Sequence, residues 1–244
     1  MIDNLPEGSP LLEAARAWRG ARVAPHALAP AADCTAAYSV WLKRRSKRVR
    51  YRWPRLEAHV TDVLGMRFEV HETFPDLAAL LAEIYRVEAS GWKGAEGSAI
   101  SDSAADTLFY TRLAHRAAAA GALRIAVLRQ GERITAFEYG ILAGDRLFLL
   151  KVGYDEAFED ASIGHVLAAM HIRDCCADPR IAWYDKLGNG MTPAAYKLRF
   201  SDTLDPLHRV TLYARTWRGQ LVRLHDALRA RAKRWRDARR TRAA

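Results

Sequence analysis

Three apolar segments in quick succession constrain this chain most. Leu123–Arg129, Arg133–Leu142 and Arg146–Tyr154 are separated only by the turn signals Gln130-Gly131 and Gly144-Asp145. Turns this short join antiparallel neighbours, so the pattern predicts three consecutive antiparallel strands. The third segment is apolar on both faces, as a central strand should be. Ser162–Cys176 follows with Ile163, Val166, Leu167 and Met170 at helical spacing, one apolar stripe for that sheet.

The flanking segments extend the pattern. Ser9-Pro10 before Leu11-Leu12-Glu13 reads as an N-cap, a proline at the first helical position and a short helix. Residues 20–32, rich in Ala and Pro, read as a linker. A helix is expected from Asp33 through the basic segment toward Arg52, with Pro54 breaking or restarting it. Arg67–Glu72 alternates as a strand, and Pro75–Ala89 is helical, with Leu77, Leu80, Leu81, Ile84 and Val87 on one face. A loop over Ser90–Ser103 precedes a helix at Ala104–Ala120, ended by Gly121. Ile181–Lys186 reads as a strand, Pro193–Lys197 as a short helix or turn, and Leu198–Phe200 and Arg209–Arg215 as strands. A long basic helix begins at Thr216, with Leu221, Leu224 and Leu228 as its stripe.

The formal charge of +10 is uneven. Arg209–Arg242 holds 12 Lys/Arg against Asp226 and Asp237, which accounts for the whole excess. A second run, from Lys43 to Arg55, contains no acid. Such runs suit solvated helix faces, or a phosphate-rich partner such as nucleic acid or an anionic membrane. Arg outnumbers Lys 31 to 7, which GC-rich coding alone can produce. Tyr51, Trp53, Trp217 and Trp235 interleave the runs, as base-stacking or as ordinary packing aromatics. Cys34, Cys175 and Cys176 form no CxxC pair, which excludes zinc-ribbon and disulfide-framework readings. No apolar run approaches the ~18 residues of a membrane helix. Met1–Pro10 has no apolar core of a signal peptide, so the cytoplasm is the expected compartment. His115, His165 and His171 match no metal motif, and no metal is expected.

From residue 66 the element order is that of the GNAT acyltransferase fold. The stretch Glu88-Ala-Ser-Gly-Trp92-Lys93-Gly94, continuing through Gly97-Ser98-Ala99-Ile100, resembles a signature of the CelD-type acetyltransferases, a GNAT family associated with cellulose and exopolysaccharide synthesis. Phe109-Tyr110, Leu149–Asp155, Ser162-Ile163-Gly164 and Asp185-Lys-Leu-Gly188 followed by Tyr196-Lys197 resemble further elements of that family. The resemblance covers about residues 34–215 and extends to FemAB-type aminoacyl transferases, which carry two GNAT-like halves. It implies an α/β (α+β) fold: a mixed, mostly antiparallel sheet flanked by helices, with residues 63–215 as the GNAT domain. Residues 1–62 would be a helical, shortened first half, and 216–244 a basic C-terminal helix.

The resemblance also implies a site. Acyl transfer from a thioester needs a polarised carbonyl, a base for the acceptor and an acid for the leaving thiolate. Acetyl-CoA or another acyl-CoA would lay its acyl arm beside Leu150, Lys151, Val152 and Gly153, because GNAT folds splay two strands there. Lys151 could meet a phosphate or a carboxylate, or pack its stem and reach solvent. The pyrophosphate would sit at Ser162, Ile163, Gly164 and His165, a helix start; alternatively Ser162 is a plain cap and Gly164 permits close packing. Asp155, Glu156, Glu159 and Asp160 precede this helix where GNAT enzymes usually carry a glycine-rich, basic loop. Asp185 would be the base or orient the acceptor, Tyr196 the acid, and Lys197 the stabiliser of donor charge; Asp185 with Lys197 could instead be a structural ion pair. Trp92 and Lys93 would recognise the acceptor, with Glu138 as a further base candidate. The acceptor implied is the amine or hydroxyl of a sugar or cell-envelope precursor. An aminoacyl-tRNA-dependent transferase and a catalytically degenerate scaffold are the competing readings.

Overall fold

The computed structural model of the chain describes residues 1–90, 97 and 99–242. Its strands are β1 (Ile2–Pro6), β2 (Ala21–Asp33), β3 (Met66–His71), β4 (Leu123–Gln130), β5 (Arg133–Ala143), β6 (Arg146–Tyr154), β7 (Trp183–Asp185) and β8 (Thr203–Leu212). Its α-helices are α1 (Pro10–Ala17), α2 (Tyr38–Lys43), α3 (Lys47–Ala58), α4 (Leu77–Ala89), α5 (Ala104–Ala119), α6 (Ile163–Ala177), α7 (Ala195–Leu198) and α8 (Trp217–Arg242). Two compact units divide the chain: residues 29–187 with 193–204, and residues 1–28 with 188–192 and 205–244.

In the larger unit the strands run β2-β7-β6-β5-β4-β3, and every neighbouring pair is antiparallel except β6–β7. This is the expected fold class, a mixed, mostly antiparallel sheet flanked by helices. The period-2 alternation of the strands builds both faces. Ile125, Val127, Phe137 and Tyr139 pack against Leu81 and Ile84 of α4 and Ala114 of α5. Ala126, Leu128 and Ala136 pack on the opposite side with Ile163, Val166 and Met170 of α6. The three-strand reading and the α6 stripe therefore placed the centre of the core correctly.

Other expectations need correction. The Ala/Pro-rich linker over 20–32 is strand β2. Its buried side chains are the small Ala27, Ala29, Pro30, Ala31 and Ala32, which present no large apolar alternation to read. The single helix expected from Asp33 is two helices, because the Ser46 hydroxyl accepts from the Val49 N–H and starts α3 afresh. Pro54 sits inside α3 rather than ending it. Leu198–Phe200 begins as the end of α7, not a strand. Trp53, in the basic run, is a packing aromatic: it stacks between Trp41 (5.7 Å) and Phe200 (4.8 Å), and His165 stacks on Phe200 in turn (5.9 Å).

The smaller unit pairs β1 with β8 and packs Leu12 and Ala15 of α1 against Val210. Asp3 takes two hydrogen bonds from Arg209. Gly188 lies where a Cβ would meet the Leu28 carbonyl oxygen at 2.6 Å, so only glycine fits there. In α8, Trp217, Leu221, Leu224, Leu228 and Trp235 are exposed. Among the described residues no helix is long and apolar enough to cross a membrane, and no cluster of His, Cys, Asp and Glu has metal-binding geometry.

Candidate active site

The parallel pair β6–β7 holds together only briefly. Arg146, Leu147 and Phe148 pair with Trp183, Tyr184 and Asp185; β7 then ends while β6 continues to Tyr154. On its other side β6 carries a bulge: Tyr139 opposes Lys151 and Gly140 opposes Leu149, which leaves Leu150 as the extra residue. A bulge disrupts the ladder locally and re-aims the side chains that follow. A cavity of about 420 Å³ opens where the strands part. Val87 and Glu88 of α4, Phe137 and Glu138 of β5, and Val152 to Tyr154 of β6 form its inner walls. Ser162, Gly164 and His165 at the start of α6 line it with Lys186, Tyr196 and Phe200.

A buried polar cluster stands at the inner wall. Glu138, only 2% exposed, accepts a 2.6 Å hydrogen bond from the Tyr184 hydroxyl and lies 2.8 Å from His171 Nδ1 and 3.5 Å from Lys186 Nζ. Burial pushes its carboxyl up, but the Lys186 charge and the bonds to His171 and Tyr184 outweigh this and hold it below the ordinary value. The same burial drives Lys186 below the usual lysine range, against the opposing pull of Glu138. The Lys186 ammonium also lies over the Phe200 ring at 4.7 Å. Across the cavity, Glu88 pairs with Lys151 at 3.3 Å and accepts from the Ile100 N–H at 2.9 Å.

Lys186 is aimed by a constrained turn. Leu187 has φ of +54°, a conformation that costs a non-glycine residue. Asp185 holds that turn by accepting from the Leu187 N–H at 2.7 Å, and Arg146 donates to the same carboxylate at 2.8 Å. From α7, Lys197 Nζ donates to the carbonyls of Lys186 (2.7 Å) and Leu187 (2.9 Å). Tyr196, the residue before, lines the cavity with 42% of its surface exposed. Partial burial and then the Glu138 charge push its hydroxyl above the ordinary tyrosine value, so it carries its proton at neutral pH.

The sequence profile of the acetyltransferase (GNAT) domain matches residues 43–198, more than half of the chain. The chain belongs to the GNAT acetyltransferase family. No curated protein matches its sequence. The C-terminal DUF2156 domain of a candidate lysylphosphatidylglycerol synthetase from Agrobacterium fabrum superposes with a TM-score of 0.55 at 15% identity, over 82% of this chain and 65% of that one. L-PGS from Bacillus licheniformis gives 0.57 at 13% identity, over 90% and 69%, and FemX gives 0.56 at 10%, over 85% and 70%. At these identities the likeness is one of fold. The chain spans 65% of the Agrobacterium domain, so it is similar to a part of that protein.

Within this GNAT domain the expected site residues divide. Glu138, Val152, Gly153, Ser162, Gly164, His165 and Tyr196 converge on the one cavity. Leu150 packs toward the α4–α5 core, and Ile163 is buried in the α6 core. Asp185 and Lys197 do not line this cavity; they brace the turn that carries Lys186. Lys151 meets a carboxylate, Glu88. Ser162 has φ of +55° and makes no side-chain cap bond, while a Cβ on Gly164 would meet the Tyr154 ring at 3.1 Å. Trp92 and Lys93 lie outside the described residues. Sequence reasoning missed Lys186, Tyr184 and His171. Lys186 lay within the quoted Asp185-Lys-Leu-Gly188 element, but a lysine at a strand end ordinarily reads as a surface charge.

Proposed function

We propose that this GNAT domain moves an acyl group from acyl-CoA to an amine or hydroxyl of a sugar or cell-envelope precursor, in the manner of the CelD-type enzymes its signature resembles. One observation carries the reading: the separation of β6 from β7 opens onto a cavity lined by both Tyr196 and Lys186. The residues there fit such a donor, with an apolar wall of Val87, Phe137 and Val152 for an acyl arm and polar groups at one end. An acyl-CoA bound there supplies the activated thioester carbonyl and leaves as the free thiol.

The chain's own residues then have separate tasks. Tyr196 holds a proton at neutral pH and delivers it to the departing sulfur as the C–S bond breaks, and the proton released by the attacking amine or hydroxyl restores the phenol. Lys186, its charge balanced by Glu138, stabilises negative charge growing on the carbonyl oxygen. Asp185 and Lys197 are positioning residues that fix the 185–187 turn. Phe200 and the apolar wall limit water around the reacting carbonyl.

A second reading, transfer from an aminoacyl-tRNA, draws support from the acid-free arginine run of α3. The deciding experiment presents the purified chain with acetyl-CoA or with a charged tRNA, each against a panel of amino sugars. The account expects acceptor-dependent release of free thiol from acetyl-CoA, matched one to one by acylated acceptor. Transfer from the charged tRNA alone would replace it with the second reading.

A further inference from the structure

A second cavity, of about 280 Å³, opens on the other side of Ser162 and His165, which line both. Its distinctive wall is cationic. Arg48 and Arg52 stand one turn apart on α3, and Arg199 follows α7. Among the described residues none of the three has an acidic partner. Several arginines of the unit that line no cavity are paired, Arg45 with Asp202, Arg129 with Glu69 and Arg173 with Glu57. Like charges one helical turn apart weaken a helix, so stability does not explain Arg48 and Arg52. Their field is felt at His165: burial, then the charges of Arg199, Lys186 and Arg52, hold its imidazole at about 4. The floor of the cavity is apolar, from Val49, Trp53 and Leu56.

The larger cavity has the opposite character at its rim. Glu156 and Glu159 line it just ahead of α6. A helix N-terminus ordinarily attracts phosphate, but two carboxylates beside it oppose that attraction. Ser162, in its left-handed conformation and without a cap bond, stands between this acidic rim and the arginine pocket.

We propose that the pocket formed by Arg48, Arg52 and Arg199 holds the phosphate groups at the nucleotide end of the acyl donor, whose acyl arm passes Ser162 and His165 into the larger cavity. Helix α3 lies within the matched span 43–198 but ahead of the first strand of the GNAT pattern, and it would supply the charge that the loop before α6 lacks. The inference rests on transfer from an acyl-CoA, and its test is kept separate from turnover. Guanidinium groups suit the task, because each offers a fork of donors to phosphate oxygens.

The probe is adenosine 3′,5′-bisphosphate, which carries the phosphates and no acyl group, titrated calorimetrically into the full chain. Saturable one-to-one binding is expected, weakening as salt rises. Arg48→Ala with Arg52→Ala, both on the exposed face of α3, should lower the affinity by about tenfold or more, roughly one strong charge-assisted contact. The same pair should raise KM for acetyl-CoA by a similar factor, with the loss falling on KM rather than kcat. Arginine-dependent binding of the bisphosphate without any acyl transfer would uphold the pocket and sink the acetyltransferase reading. Absent binding, or binding and KM indifferent to both substitutions, would overturn the pocket while leaving transfer untouched. Arginine-dependent binding of a short RNA 3′ end, with none of the bisphosphate, would overturn it in favour of RNA.

Discussion

At the scale of single residues, the Glu138–Lys186 pair decides both stability and chemistry. Each is buried, and each is tolerated only because the other is present. Lys186→Met leaves a buried carboxylate facing an apolar side chain, at a cost of about 3 kcal/mol, since His171 and Tyr184 still bond to it. Adding Glu138→Gln to Lys186→Met should recover about 1–2 kcal/mol of that loss, a non-additivity that a double-mutant cycle in urea would measure. Strict additivity would show that the two side chains do not interact. The sequence offered Glu138 as a further base candidate in mid-strand, and Tyr196 through its motif. It could not reveal Lys186, because the partner that makes it unusual lies 48 positions earlier and meets it only through sheet register. It also assigned chemistry to Asp185 and Lys197, whose hydrogen bonds go to the backbone of their own turn and to Arg146.

At the scale of elements, Arg124 on β4 ties the ends of three segments. Its guanidinium, in a side chain 5% exposed, bonds Glu72 after β3, Asp174 of α6 and Asp178 after α6. Hydrogen bonds from Arg180, against a smaller effect of desolvation, hold Asp178 at about 2, below the ordinary 3.8. A depressed carboxyl stabilises the fold above its unfolded pKa and loses that contribution as pH falls toward the folded value. Allowing for solvent around the exposed Arg180, Asp178→Asn should cost about 1 kcal/mol at pH 7, a deficit that shrinks between pH 4 and pH 2. Urea midpoints of both proteins across that range would check it; a deficit constant with pH would contradict it. Elements with large apolar periodicity, β4 to β6 and α4 to α6, were readable because their own side chains make the core. Strand β2 was not, since alanines and prolines carry no alternation of size, and β7 shortened because only three of its residues find partners.

At the scale of the molecule, the uneven charge has a structural counterpart. Most of the C-terminal excess lies on α8, which carries 10 Lys/Arg against Asp226 and Asp237 and exposes Trp217, Leu221, Leu224 and Leu228. The earlier basic run differs, because two of its eight basic residues, Arg48 and Arg52, line a cavity beside the site. The proposed acyl transfer takes place at the opening between β6 and β7, with Tyr196 as the acid. The most direct measurement is acceptor-dependent thiol release by wild type and by Tyr196→Phe under saturating acetyl-CoA. The tyrosine is 42% exposed, so its loss should leave the fold intact. The account predicts a fall in kcat of about a hundredfold or more, the usual scale for removing a general acid, with donor affinity held within a factor of about three. A variant that keeps the full wild-type kcat would contradict it.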